Sequence, residues 1–224
     1  MKKRFIGSVA IAILMLFLSA GSVFAADEIG FYVGISGGYI IPQTMTISNP
    51  DNSAEHFDAT LKNGYLLGIR TGWNTPFTRR IMAMEVEYNY MNNDWDKDKV
   101  IGGYTYDGNM SIHSVLFNLK GRYPEGIIHP YAGFGLGYAY TIVGDLTERN
   151  GGIVTDNING SSGGAFCWQL LVGVDVDLAP NMSLGVGYKY FATKPTIGDQ
   201  HKDEIYADLD YKASIITLGF TFKF

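Results

Sequence analysis

From Met82 to Tyr90 the chain alternates with a period of two: Met82, Met84, Val86, Tyr88 and Tyr90 fall on one side, and Ala83, Glu85, Glu87 and Asn89 on the other. Side chains of an extended strand point alternately to its two faces, so this segment reads as a strand with one apolar face. Seven further segments share the pattern. Phe31, Val33, Ile35, Tyr39 and Ile41 oppose Gly34, Ser36 and Gly38; Tyr65, Leu67, Ile69 and Trp73 oppose Gly64, Gly68, Arg70 and Gly72. Val115, Phe117 and Leu119 oppose Asn118, Lys120 and Arg122; Ala132, Phe134, Leu136, Tyr138 and Tyr140 oppose Gly133, Gly135 and Gly137. Phe166, Trp168, Leu170, Val172, Val174 and Val176 oppose Cys167, Gln169, Gly173 and Asp175. Leu184, Val186, Tyr188 and Tyr190 oppose Gly185, Gly187 and Lys189, and Ile216, Leu218, Phe220, Phe222 and Phe224 oppose Thr217, Gly219, Thr221 and Lys223.

The connections alternate in length. Long polar stretches run from Pro42 to Asn63, Asn92 to Asn109, Val143 to Gly164 and Ala192 to Tyr211; short turns run from Asn74 to Arg79, Pro124 to Ile128 and Ala179 to Asn181. Eight spans, four long loops and three short turns predict an all-β fold, an eight-stranded antiparallel up-and-down transmembrane β-barrel with both ends on the periplasmic side. A β-sandwich alternates too, but its second face would be rich in Lys, Glu, Ser and Thr. Here that face is mostly glycine with a few charges of both signs, which suits a narrow lumen. An Arg or Lys at the lipid midplane costs about 2–4 kcal/mol, and strict parity sends Arg70, Lys120, Arg122 and Lys189 inward. Lys212 and Ser214 take the lipid parity, but at the outer end of the last strand. Met110 and Ile112 point inward, which predicts a bulge at the top of the fourth strand.

Tyr and Trp favour the headgroup level. Tyr39, Tyr65, Tyr88, Tyr90, Tyr138, Tyr140, Trp168, Tyr188 and Tyr190 fall toward the loop ends, and Phe31, Trp73, Tyr123, Phe222 and Phe224 toward the turn ends, giving two girdles. Composition agrees: 28 Gly, 15 Tyr and 13 Phe suit strands that bend around a cramped interior. At the start, Lys2, Lys3 and Arg4 precede an apolar stretch from Phe5 to Leu18 and the small-residue site Val23-Phe24-Ala25, so residues 1–25 read as a secretory signal peptide and 26–224 as the barrel domain. Losing those three cations leaves 14 Lys plus Arg against 22 Asp plus Glu, a formal charge of −8, so nucleic acid is not an expected partner. The single cysteine, Cys167, has no internal disulfide partner and reads as a small strand residue.

The ending Phe220-Thr221-Phe222-Lys223-Phe224 resembles the C-terminal assembly signal of bacterial outer-membrane barrels. With strings such as Tyr131-Ala132-Gly133-Phe134-Gly135-Leu136-Gly137-Tyr138, the whole mature chain resembles the small eight-stranded outer-membrane β-barrel superfamily that includes OmpA, OmpX, OmpW and the Opa-type surface antigens. It departs from OmpA in carrying no periplasmic peptidoglycan-binding domain after the eighth strand. The resemblance implies the outer membrane of a Gram-negative bacterium, contact with outer-membrane lipid, and insertion by the outer-membrane assembly machinery with Phe220, Phe222 and Phe224 in the recognised segment. It implies no particular activity.

Candidate chemistry lies in the lumen and loops. Arg70, Glu85, Glu87, Lys120, Arg122, Asp175 and Lys189 either pair with one another and plug the barrel or line a polar conduit. Eight strands leave an interior that side chains can fill, which favours the plug; the glycine-rich fifth and seventh strands keep the conduit open as a reading. Asp94, Asp96 and Asp98 have the spacing of a calcium loop, but Lys99 stands where the turn needs Gly and Thr105 where a bidentate Glu is needed, so no metal site is assigned. Ser111 and His113 share a face near the outer end of the fourth strand, as a lipid-modifying barrel enzyme would require, yet no orienting carboxylate is in sight. The expectation is therefore a non-enzymatic surface protein, without cofactor, whose four loops meet an extracellular ligand or host surface or serve envelope integrity. The alternatives are a narrow channel or lateral-release pathway for a small solute, as proposed for OmpW, and, less favoured, lipid A modification.

Overall fold

The computed structural model describes residues 30–49, 52–96, 105–150, 153–198 and 207–224; the leader expected over 1–25 and Asp98 lie outside them. Eight long strands form the wall: β1 (Phe31–Pro42), β2 (Gly64–Asn74), β3 (Met82–Asp94), β4 (Asn109–Arg122), β5 (Ile128–Val143), β6 (Ser161–Ala179), β7 (Met182–Thr193) and β8 (Ala207–Lys223). Each pairs antiparallel with the next, and β8 returns to β1 from Tyr32↔Lys223 to Pro42↔Ala213, closing the barrel. The Phe224 amide donates to the Phe31 carbonyl at 2.9 Å. Closure leaves no free strand edge within the lipid, which a bilayer requires because nothing there satisfies an unpaired backbone group.

The register sets which side chains meet. A line of directly paired residues runs Tyr32, Gly72, Glu85, Asn118, Gly135, Gln169, Phe191, Ala213 and arrives back on β1 at Pro42, ten residues beyond its start. Such a stagger tilts the strands roughly 35–45° to the barrel axis. It also stacks Tyr32, Glu85, Asn118 and Gln169 side by side across the lumen, though they are far apart in sequence.

The alternation holds on the lipid side, where Ile35, Leu67, Phe117, Leu136, Val172 and Leu218 are exposed as a continuous apolar band. The outward polar residues of β8 find partners: Lys212 Nζ donates to Asp210 Oδ2 at 2.9 Å, and Ser214 Oγ lies 2.9 Å from the Tyr188 hydroxyl. At the top of β4 the expected bulge does not occur. Asn93↔Met110 and Met91↔Ile112 on one side, and Met110↔Val143 and Ile112↔Thr141 on the other, continue without a shift. Met110 and Ile112 do face the lumen and are buried there, because the outer half of the lumen is itself apolar. A register shift lies at the opposite end instead, between Asp177 and Ala179.

A span of about 9–11 residues crosses a bilayer. With 19 residues in β6 and 17 in β8, the wall continues above the membrane. Two of the segments expected as polar loops add to it: Met45–Asn49 pairs with both β8 and Asn52–Ala59, and Thr196–Ile197 pairs with β8. Thr105–Asp107, Leu146–Asn150 and Ile153–Ile158 form a separate three-stranded sheet. Met45, Ile47, Leu61, Leu146 and Ile197 turn inward from these loops and pack on the barrel's apolar interior. At the turn end, Pro76–Thr78 makes one 3-10 turn, which ends on Arg79 and Arg80 at φ 55° and 63°.

Candidate functional site

Midway along the lumen two buried carboxylates gather most of the inward charge. Glu85 is 3% exposed and Glu87 1%, and isolated carboxylates at such depth would be very costly. Glu85 Oε2 accepts from Lys120 Nζ at 2.7 Å and from the Tyr32 hydroxyl at 3.0 Å, with Arg70 Nε at 3.6 Å. Its Oε1 accepts from Asn118 Nδ2 at 2.9 Å. Glu87 Oε1 accepts from Lys189 Nζ across the lumen, and Oε2 from Asn118 Nδ2 at 3.0 Å and Gln169 Nε2 at 2.9 Å. Gln169 Nε2 also donates to Asn118 Oδ1 at 2.8 Å, and Arg70 Nη2 reaches Thr221 Oγ1 at 2.7 Å. The cluster thus ties β1, β2, β3, β4, β6, β7 and β8 to one another.

The glycines give it room. A Cβ at Gly135 would sit 2.0 Å from Asn118 Oδ1, and one at Gly72 would sit 2.4 Å from the Tyr32 hydroxyl. The sector that looks empty in sequence is filled by long side chains from other strands: the Tyr131 hydroxyl lies over Gly173 and Gly187, and the Arg70 guanidinium over Gly219. Lys120 Nζ stands 5.5 Å from the Tyr32 ring centre and 5.2 Å from that of Tyr131, within cation–π range.

Above the charges the lumen is packed with Ile40, Leu66, Met91, Leu116, Phe191 and Ile215, each at most 1% exposed. Tyr211 joins them, its hydroxyl donating to Asn93 Oδ1 at 2.9 Å. These residues have a sequence signal that strict alternation overlooks. Ile40-Ile41, Leu66-Leu67, Leu116-Phe117 and Ile215-Ile216 are adjacent apolar pairs. One member faces lipid and the other the lumen.

Arg122 and Asp175, counted with the lumen charges from sequence, lie nearer the turn end. Arg122 Nη1 donates to Asn74 Oδ1 at 3.2 Å, and both line a cavity of about 20 Å³ with Arg70, Lys120, Asp175 and Lys223. Beside it is a group missed in the sequence. Asp177 accepts from Ser183 Oγ at 2.7 Å and from Lys223 Nζ, and lies 3.1 Å from His129 Nε2; His129 Nδ1 faces the Tyr123 carbonyl at 2.9 Å. Ser183 and His129 bind the two oxygens of the same carboxylate, so no histidine activates the serine hydroxyl as nucleophilic catalysis needs.

On the outer face His113 Nδ1 is 2.8 Å from the Tyr88 hydroxyl, with the Tyr90 ring centre 5.1 Å away. No carboxylate orients this histidine among the described residues. Tyr39, Tyr65, Tyr138, Tyr140, Trp168 and Tyr188 are exposed at the same end, and Tyr88, Tyr90 and Tyr190 are half-buried. Tyr39 accepts from Asn63 Nδ2 at 2.7 Å, and Tyr140 meets Ser162 Oγ at 2.7 Å. Toward the turn end Phe220 pairs with Ile35, and Phe222 and Phe224 stack edge to face with centres 5.1 Å apart. Asp96 lies 3.9 Å from Lys62 Nζ in an ion pair.

Comparison with known proteins places this geometry. The model of the outer membrane protein beta-barrel domain matches residues 10–224. The fold is similar to that of the outer membrane protein OprG of Pseudomonas aeruginosa, with 14% identity and a TM-score of 0.55 over 88% of this chain and 97% of that one. It is similar to neisserial surface protein A, with 17% identity and a TM-score of 0.50 over 87% and 97%. It also resembles the outer membrane protease OmpT of Escherichia coli, with 8% identity and a TM-score of 0.50 over 90% and 99%. No curated protein matches the sequence.

Proposed function

This chain belongs to the outer membrane protein β-barrel family and resides in the outer membrane, and from that premise we propose that it is a non-enzymatic surface scaffold: a closed barrel that presents its four outer loops to an extracellular ligand or host surface. The observation that carries the reading is the continuous apolar packing that rises from Leu116 and Ile215 inside the barrel to Met45, Ile47 and Leu146 in the loops. Interiors packed to this degree leave no path for a hydrated solute, and they hold the loops as extensions of the wall. Binding commonly sits on loops that a rigid scaffold positions. The Tyr88 partner of His113, standing where a lipid hydrolase would need a carboxylate, supports the non-enzymatic half of the reading. The leader at 1–25 is proposed to export the chain, and Phe220, Phe222 and Phe224 to mark it for the assembly machinery.

Excising residues 97–104 and 199–206 leaves Met45, Ile47, Leu61, Leu146 and Ile197 in place. The excised barrel is expected to keep its heat-dependent gel mobility, while cells displaying it lose adherence to an array of immobilised glycans and matrix proteins. Adherence equal to that of the intact chain would contradict a binding role for the second and fourth loops.

A further inference from the structure

The charges that point into the barrel do not balance. Among the described residues five cations, Arg70, Lys120, Arg122, Lys189 and Lys223, face four carboxylates, Glu85, Glu87, Asp175 and Asp177. Lys189 closes on Glu87, Lys120 and Arg70 share Glu85, and Lys223 closes on Asp177. Arg122 has only a neutral hydrogen-bond partner, Asn74 Oδ1. Its Nε is buried without a hydrogen-bond acceptor, and so is Nε of Arg70.

Both guanidinium groups line a cavity at the turn end, where four cations surround a space with Asp175 as the sole carboxylate in the lining. Arg122 is half-buried, and its buried N–H without an acceptor costs stability, to which a cation without a carboxylate at contact distance adds. A water molecule would satisfy a donor and leave the charge. We propose that the cavity binds a small monovalent inorganic anion of halide size, held by the Arg122 and Arg70 guanidinium groups, which completes the charge balance of the lumen. Its volume of about 20 Å³ is enough for one small ion. Asn74, Ser183 and Lys223 in its lining place the site at the turn end, away from the loops, so it is independent of what they bind.

The test uses the folded full barrel in detergent micelles, with sodium bromide exchanged for sodium gluconate at constant ionic strength. Melting should rise by about 3–6 °C when bromide is tenfold above its dissociation constant, and crystals grown in bromide should show an anomalous peak in the cavity beside Arg122. Arg122→Gln should lose the bromide-dependent rise, whereas Arg79→Gln at the exposed turn should keep it. Equal melting in the two salts, an Arg122→Gln barrel that still responds, or a bromide crystal without a peak in the cavity would each overturn the proposal. The crystal of the unaltered chain decides even if the variant fails to fold.

Discussion

Glu87→Ala is expected to destabilise the barrel by about 3–5 kcal/mol, the cost of leaving a buried cation without its counter-charge. Lys189 reaches Glu87 from the opposite wall, and among the described residues no other carboxylate forms an ion pair with it. Asn118 and Gln169 would each lose an acceptor as well. Replacing both ends, Glu87→Gln with Lys189→Met, should be markedly less harmful than Glu87→Ala alone. The glutamine oxygen still accepts from Asn118 and Gln169, and no cation is stranded. Urea unfolding of barrels refolded into liposomes reads the difference; a double variant as unstable as the sum of its single changes would show that the two residues do not act as a pair.

Phe117→Arg is expected to cost about 2–4 kcal/mol by a different route. Phe117 is 53% exposed in this structure and pairs across β4 with Val86 and Leu136, in the middle of the lipid-facing band. The same arginine at Ser162, outward but at the outer end of β6, should cost only about 0–1 kcal/mol. Equal costs at the two positions, read by the same urea unfolding, would mean that Phe117 does not face the lipid midplane.

The wall was legible in the sequence because a bilayer enforces alternation with little tolerance. Each of the eight strands could be placed, and the inward parity of Arg70, Glu85, Glu87, Lys120 and Lys189 followed from the cost of the alternative. Which of them meet was not legible. Tyr32, Glu85, Asn118 and Gln169 become neighbours only through a stagger of ten residues around the ring, a property of closure that no single segment carries.

Two misreadings have one cause. Treating every inward position as polar or small made Met110 and Ile112 look like a register fault, and made the glycine faces of β5 and β7 look like open space. The outer half of the lumen is apolar, so Met110 and Ile112 belong there without a bulge. On β5 Gly135 receives Asn118 from β4, and on β7 Gly187 receives the Tyr131 hydroxyl from β5. The buried loop residues were harder to see, since Met45 and Ile47 alternate over only a few residues and their burial depends on β8 rising beside them. His129 and Asp177 escaped notice because they sit on different strands and meet only at the barrel rim.

Side chains fill this barrel from the Glu85 and Glu87 cluster to the loops. Single-channel recording in a planar bilayer tests it most directly. The purified, heat-modifiable barrel should insert without producing ion steps at any applied potential the bilayer withstands; reproducible discrete openings that appear with insertion and vanish with heat denaturation would contradict it.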